Sequence, residues 1–414
     1  MSTLEGLRCV WCSHEIAEDP LDGTHPLRLR CPRCSGNLEA VYRFPRLDHA
    51  ALLADPDPTI WRWRSLLPVD PGPLRPRLPV GGTPLLSAPV LGAAFDLPDL
   101  WLKDDTRLPS ASFKDRASAI ALAVAWARGE RVIAGASTGN AAASTACLGA
   151  RTGQKVVIFV PHTAPAAKVA QILLFGATVL SVHGTYDQAF DLCAQACDRL
   201  GWYNRNTGLN PWTREGKKTC ALEIAAQLRW ELPDWVAVSV GDGNILSGLA
   251  RGFRDLVEAG ITDRVPRLLA AQAEGSDSVT RAWEDGGRVH AVSGTTIADS
   301  ISVSLPRDGD AAVAALRTTR GHAIRVPDAA ILRAMAQLAR SEGVFVEPAA
   351  AVTIAGIRAA AEAGVLRSSD RVVAVLTGSG LKDVDRARQI AGEPIPVGPD
   401  PADLDRLIQA GALP

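Results

Sequence analysis

The sequence has little with which to hold a polyanion or enter a bilayer. Neither sign of charge dominates: 44 lysines and arginines stand against 45 aspartates and glutamates, a net charge of −1. A chain so balanced has no global field drawing it to nucleic acid or to an anionic membrane surface. No apolar run approaches the ~20 residues that span a bilayer; the most apolar windows, Val156–Pro161 and Trp235–Val240, are short. The opening Met1-Ser2-Thr3-Leu4-Glu5 lacks a basic stretch followed by an apolar one, so no secretory leader is expected, and a cytoplasmic location follows by elimination. Without that leader, the eight cysteines are not expected to form a disulfide framework. No internal repeat or low-complexity tract is evident.

What is present is ample material for a core. Hydrophobic residues make up 47% and charged residues 21% of 414, ordinary globular usage for two or three domains. Residues 1–45 are cysteine-rich, with strand-like text at Leu27–Leu29 and Leu38–Tyr42; residues 46–98 are rich in Pro and Trp and read as a linker or wrapping arm. From about residue 99, short apolar runs alternate with helical stretches. The runs, predicted as buried parallel strands, are Arg131–Ala134, Val156–Val160, Thr178–Val182, Trp235–Val240, Arg267–Ala271 and Val372–Leu376. Between them Ala117–Arg128, Ala142–Thr152, Ala166–Phe175, Tyr186–Leu200 and Ile245–Ala259 read as helices. That alternation predicts an α/β protein with parallel sheets.

Cys9, Cys12, Cys31 and Cys34 form two CxxC pairs separated by 18 residues. The spacing lets two tight turns offer four thiolates to one zinc, a closed structural site. The basic complement nearby (Arg8, Arg28, Arg30, Arg33) is modest, so a packing role is favoured over nucleic-acid binding. Cys147, Cys193, Cys197 and Cys220 lie in apolar or helical text and read as buried thiols.

The chemistry centres on Ser110-Ala111-Ser112-Phe113-Lys114-Asp115-Arg116, which leads into an Ala-rich helix. A lysine in a first helical turn faces the positive end of the dipole, which lowers its pKa and frees the amine for Schiff-base chemistry. Three further segments join it. Ser137-Thr138-Gly139-Asn140 follows a strand and opens a helix, so unpaired N–H groups converge where a carboxylate would fit, and the Asn140 amide can reach a phenolic oxygen. Gly241-Asp242-Gly243-Asn244 repeats the arrangement and looks like a phosphate cradle, though neither a GxGxxG nor a Walker pattern. Leu376-Thr377-Gly378-Ser379-Gly380 puts a hydroxyl at the end of the last strand.

In this order, SFKDR, STGN, the glycine loop and LTGSGLKD resemble threonine synthase and its relatives among the fold-type II enzymes of pyridoxal 5′-phosphate, over about residues 80–385. Many threonine synthases also carry a four-cysteine zinc motif at the N-terminus. The resemblance implies two open parallel-sheet domains with the cofactor in the cleft. It assigns 1–45 to a zinc ribbon, 46–130 to an arm and the start of the catalytic domain, 131–220 to a small cofactor and substrate domain, 221–395 to a large domain, and 396–414 to a tail. It makes Lys114 the Schiff-base lysine and proton shuttle. Asn140 would hold the cofactor's 3′-oxygen, Gly241, Asp242, Gly243 and Asn244 its phosphate, and Thr377 its pyridine nitrogen; Ser137, Thr138 and Gly139 would grip the substrate carboxylate. It also implies a small amino-acid substrate and a homodimer.

Departures fall on the substrate side. Where the family reads N-S-x-N-P-x-R-x-E-G-Q-K-T, this chain has Thr207, Gly208 and Thr213 in place of the Asn, Ser and Arg. The loss of Arg removes a bidentate phosphate partner; Arg214 and Lys217 are the nearby replacements, although a shift of one residue on a helix turns a side chain by about 100°. The lysine loop has Leu108-Pro109-Ser110-Ala111 where N-P-T-G is usual, and STGN is followed by Ala141 rather than Thr. Gly294–Val303 and Val346–Ala351 read more like serine and threonine dehydratases. Three functions therefore compete: threonine synthase or a close paralogue, such as a cysteate-synthase-like enzyme; a dehydratase of a β-hydroxy amino acid; and a non-catalytic zinc-ribbon binder, against which the intact Lys114 stands. His162 and His183 read as packing or surface residues, and Trp61, Trp63 and Trp101 as core.

Overall fold

The computed structural model describes residues 4–413 apart from 18, 20 and 165; Met1–Thr3, part of the reading on leaders, lie outside them. Among the described residues the fold contains three sheets. A small antiparallel one joins β1 (Leu4–Cys9) to β2 (Glu15–Ile16) and β3 (Leu38–Tyr42). Leu27–Leu29 is not a strand; only Arg30 bridges to Asn37 there, while β1 went unread because its Leu-Glu-Gly-Leu-Arg-Cys text has no clean alternation.

The large sheet has six strands, ordered β12 (His322–Val326), β11 (Arg267–Ala273), β10 (Trp235–Ser239), β13 (Val372–Leu376), β5 (Leu100–Asp104) and β4 (Leu85–Ser87). All pair in parallel except the edge strand β4. The second sheet is parallel throughout, ordered β8 (Thr178–Val182), β7 (Lys155–Pro161), β6 (Val132–Ala136) and β9 (Tyr203–Asn204). The apolar runs thus became parallel strands, because helices cover both faces. In β10, Val236 and Val238 point into one core cluster while Trp235 and Ala237 point into another. The exception is β8, which lies at an edge and is not buried; its apolar text is short and one flank faces solvent.

The Ala-rich helix runs Lys114–Ala127 and is buried from Asp115 to Ala125. It packs on a second helix, Trp212–Gln227, that periodicity did not reveal. That helix is buried on all sides yet carries Arg214, Glu215, Lys217, Lys218 and Glu223, so it has no apolar stripe to read. Apart from Lys217, its charges are paired instead. Glu223 meets Arg116 at 2.8 Å and Lys103 at 2.8 Å, Arg116 also meets Asp105 at 2.6 Å, and Lys218 meets Asp255 at 2.8 Å. Contact is close enough that a Cβ on Gly216 would fall 2.1 Å from the Arg116 carbonyl oxygen.

The ribbon is not free-standing. Leu7, Leu38 and Ala40 belong to the same core cluster as Val236 and Leu249, and Arg251 donates to the Ala40 carbonyl at 2.7 Å. Trp61 and Trp63 are fully buried in that core, and Trp101 packs against it from a half-buried position. Residues 396–414, read as a tail, contain a helix at Pro401–Gln409.

Candidate active site

Three segments converge at one cleft, each positioned by a strand end. After β6 the chain turns through Ser137–Gly139 into a helix, Asn140–Thr152. After β10 it turns through Gly241–Gly243 into Asn244–Glu258. Both helices start without a side-chain cap, so the N–H groups of their first turns are left for another partner. Lys114 begins the third helix, and the Phe113 N–H donates to the Thr377 carbonyl at 2.9 Å, fastening the lysine loop to β13. The cleft has a volume of about 780 Å³ and is lined by Lys114, by 137–140 and by 241–244. Thr377 is buried at the strand end and is not part of the cavity lining.

Geometry explains two of the glycines. Gly243 has φ +85°, and a Cβ there would sit 2.8 Å from the Asp308 carbonyl oxygen. A Cβ on Gly241 would lie 2.8 Å from the Ile301 backbone. Segment 299–309 thus presses on the loop from behind and leaves room for glycine alone.

The electrostatics are set by cations with few counter-charges. Burial pushes the Lys114 ammonium below the ordinary lysine range; Glu347 and Asp242 oppose this, and Arg205 adds to it. Burial also holds Lys217 well below that range, with Lys114 and then Arg205 contributing. Asp242 is pushed up by burial, against a hydrogen bond from the Arg307 N–H at 3.1 Å and the charges of Lys217 and Lys114.

Three residues at the cleft received no role from the sequence: Arg205, outside every motif, and Ser300 and Glu347, which lie within the dehydratase-like segments Gly294–Val303 and Val346–Ala351. Arg205 is 3% exposed and lines the cleft. It donates to Thr207 Oγ1 at 3.0 Å and Ser118 Oγ at 3.1 Å, its Nε has no partner, and among the described residues no carboxylate pairs with it. Burial pushes its pKa down to about 10. Glu347 is buried beside the lysine, accepting from Asn140 Nδ2 at 2.8 Å, and burial raises its pKa. Its signal was a lone acid preceding Pro348 at the start of an apolar helix, Pro348–Glu362. Ser300 also approaches Asn140, at 3.4 Å.

The two replacements for the missing Arg part company. Arg214 is committed to Asp308 and to Ser247 at 3.2 Å. Lys217, four residues after Thr213 and so on the same helical face, lines the cleft and donates to Asn244 Oδ1 at 2.6 Å. Cys147, Cys193, Cys197 and Cys220 are buried thiols as expected, and His162 stacks on His183 at 5.2 Å, away from the cleft lining.

Far from the cleft, the four ribbon cysteines place their sulfurs within 4.8 Å of one another, with Cys9–Cys34 at 3.4 Å and Cys12–Cys31 at 3.7 Å. A tetrahedron with arms of about 2.3 Å has edges of about 3.8 Å, so the set is of zinc's size. Each knuckle closes alike: Ser13 and Ser35, at φ 57° and 58°, follow the second cysteine and donate to the carbonyl of the first.

A model of the pyridoxal-phosphate dependent enzyme family matches residues 76–378. The chain belongs to that family. Threonine synthases from Methanosarcina acetivorans and Methanocaldococcus jannaschii are each 34% identical to it, over 98% and 97% of this chain and 98% and 99% of theirs. Among solved structures, the processed form of threonine deaminase isoform 2 from Solanum lycopersicum superposes with a TM-score of 0.65 at 23% identity, covering 75% of this chain and 82% of that one. Diaminopropionate ammonia lyase from Escherichia coli gives 0.66 at 19% identity, covering 84% and 94%. At such identities the likeness is one of fold, fold-type II. The protein is thus a pyridoxal-phosphate-dependent lyase of the threonine synthase family, acting by elimination or replacement on an amino acid; the ammonia-lyase reading fits less well.

Proposed function

We propose that the substrate carries a phosphoryl group, or a comparable dianion, on its side chain, and that the reaction is threonine-synthase-like elimination and replacement at the β or γ carbon. The observation that carries this is the pair Arg205 and Lys217. Both are buried at the cleft and neither has a carboxylate bonded to it among the described residues. Burial without a bonded carboxylate disfavours the charged form of both groups, and an arriving anion offsets that cost and favours their charge. Arg205 and Lys217 thereby restore the positive charge lost at Thr213.

Bound cofactor supplies an electron sink for carbanion chemistry. The chain's own groups orient and protonate. Lys114 carries the cofactor and shuttles the proton, and its lowered pKa supports an amine free to do so. Asn140 has two amide hydrogens, so it can keep Glu347 and give the other to the cofactor's 3′-oxygen. The 241–244 loop takes the cofactor phosphate on its N–H groups, and 137–139 take the substrate carboxylate. Thr377, buried at the end of β13 just outside the cavity lining, would offer the pyridine nitrogen a neutral hydroxyl, which does not force protonation there and so favours elimination and replacement over transamination. The small domain, expected over 131–220, centres on the four-stranded sheet of 132–204; the boundary at 220 falls inside Trp212–Gln227, a helix that packs on Asn244–Glu258 and so goes with the large domain of 221–395. Zinc held by Cys9, Cys12, Cys31 and Cys34 completes the ribbon, supported by the size of the sulfur cluster. The enzyme works as a homodimer in the cytoplasm; among the described residues no helix is long and apolar enough to cross a membrane.

Assay of purified protein with O-phosphohomoserine, serine, threonine and hydroxyaspartate is the test. Release of inorganic phosphate with formation of threonine is expected. Ammonia and a keto acid from serine or threonine, with no phosphate release, would overturn the proposal in favour of a dehydratase.

A further inference from the structure

The ribbon touches the segment that packs on the glycine loop through the Asn37 side chain. Asn37 follows the second knuckle, and its carbonyl accepts the Val10 N–H of the first at 2.9 Å, so both knuckles fix its place. Gly36 before it has no room for a Cβ, which would meet Cys9 Sγ at 2.9 Å. The Asn37 side chain is buried and leaves the ribbon: Nδ2 donates to the Arg307 carbonyl at 2.8 Å and to Asp308 Oδ1 at 3.1 Å, and Arg30 donates to its Oδ1.

Asp308 in turn holds the glycine loop at three points. Its Oδ2 accepts from Asn244 Nδ2 at 2.8 Å and from Ser247 Oγ at 2.7 Å, and its N–H donates to the Asp242 carbonyl at 2.9 Å. The neighbouring Arg307 N–H donates to Asp242 Oδ1 at 3.1 Å. Every member of this relay is buried or nearly so, where a polar group without a partner is strongly penalised, so the relay keeps one arrangement.

We infer that Asn37, on the cysteine ribbon, is a positioning residue for the cofactor's phosphate: through Asp308 it fixes the loop whose N–H groups receive that phosphate. This rests on the assignment of Gly241–Asn244 as the phosphate cradle. It gives the ribbon a purpose beyond packing, since the four cysteines frame the turn that presents Asn37.

The test compares pyridoxal 5′-phosphate with pyridoxal, which lacks the phosphate, each titrated into cofactor-free full-length protein and followed by the visible absorption of the lysine-bound form. Asn37→Ala removes the ribbon's link to Asp308, which keeps its bonds to Arg214, Asn244 and Ser247. Asn37→Asp keeps the shape but sets a carboxylate against Asp308. Arg30→Ala removes only the partner of Asn37 Oδ1 and is the mildest of the three. Arg254→Ala, which removes a ribbon contact to Glu39 outside the relay, is the control. Affinity for pyridoxal 5′-phosphate is expected to fall on the order of tenfold in Asn37→Ala, the worth of one charge-assisted hydrogen bond, and further in Asn37→Asp. Pyridoxal affinity should not move in either, Arg30→Ala should shift in the same direction by less, and the control should match the wild type. Equal loss for both compounds, or loss for neither, would overturn the inference. Wild-type protein that binds the two compounds equally well would instead overturn the cradle assignment beneath it.

Discussion

Lys114 sits among groups that each bias its proton. Burial lowers its pKa below the usual lysine range, opposed in part by Glu347 and Asp242 and reinforced by Arg205. Lys114→Ala should abolish the visible band of the bound cofactor and cut turnover by at least the 10²–10⁴-fold typical of a lost general base; retained turnover would sink the proposed chemistry. Arg205→Ala and Lys217→Gln should each raise KM for a phosphorylated amino acid by roughly 10- to 100-fold, the range for losing a charged partner of an anion, with the cofactor band unchanged. A fall in cofactor affinity instead would assign those cations to the cofactor's own phosphate. At this scale the sequence was most readable where residues come in bracketed runs. Lys114, 137–140 and 241–244 stand where apolar text gives way to glycine or serine and then to a helix. Arg205 stands alone, and although Glu347 lies in the dehydratase-like Val346–Ala351, nothing in either neighbourhood says that folding will bury the two at the same cleft.

Elements were legible where burial is one-sided or complete and apolar. Thr178–Val182, Tyr186–Leu200 and Val372–Leu376 have the predicted bounds, and the last two owe this to clear end signals; Thr185 and Gln188, for instance, form a capping box. The helix Trp212–Gln227 was hidden because its buried faces are charged, and the partners of Glu223, Arg116 and Lys103, lie more than a hundred residues away. Its contact with the lysine helix makes Gly216 a sensitive position. Gly216→Ala would force the helices apart and should cost about 1–3 kcal/mol of stability, the usual penalty of overpacking, while misplacing Lys114; a thermal melt and turnover at saturating substrate check both effects. The ribbon gives another prediction. Removing zinc with a chelator should lower the melting temperature and release one metal per chain, as a structural site contributes folding energy directly. A melt unmoved by chelation would leave the cysteines without a metal role.

Over the whole molecule, buried charge pairs tie the elements together. The Arg116–Glu223–Lys103–Asp105 network joins the lysine helix, the buried helix and β5. Opposed by burial, Arg116 and Lys103 hold the Glu223 carboxyl far below its usual range, and Arg254 with Arg251 holds Glu39 at about 2. Folded pKa values below the unfolded ones mean stability that is full above the ordinary glutamate value of 4.5 and lost as pH falls toward 2. Acid unfolding should therefore begin below about pH 5, and Glu223→Gln, which leaves Arg116 and Lys103 short of a counter-charge, should destabilise by about 3–5 kcal/mol at neutral pH. A denaturant titration at neutral pH that shows no loss would remove the network from the account of stability.

The sequence by itself determined the alternating α/β architecture, the places of Lys114, 137–140 and 241–244 at strand ends and helix starts, and the clustering of the four ribbon cysteines. Each rests on short-range patterns: apolar period, glycine at a strand end, cysteine spacing. Tertiary structure alone decided which replacement cation faces the cleft, that Arg205 is buried without a carboxylate, and that Asn37 of the ribbon reaches the loop beside Asp308. Those facts depend on which side chains from distant segments share one low-dielectric volume, where the cost of an unpaired polar group selects its partner, and no local pattern encodes that.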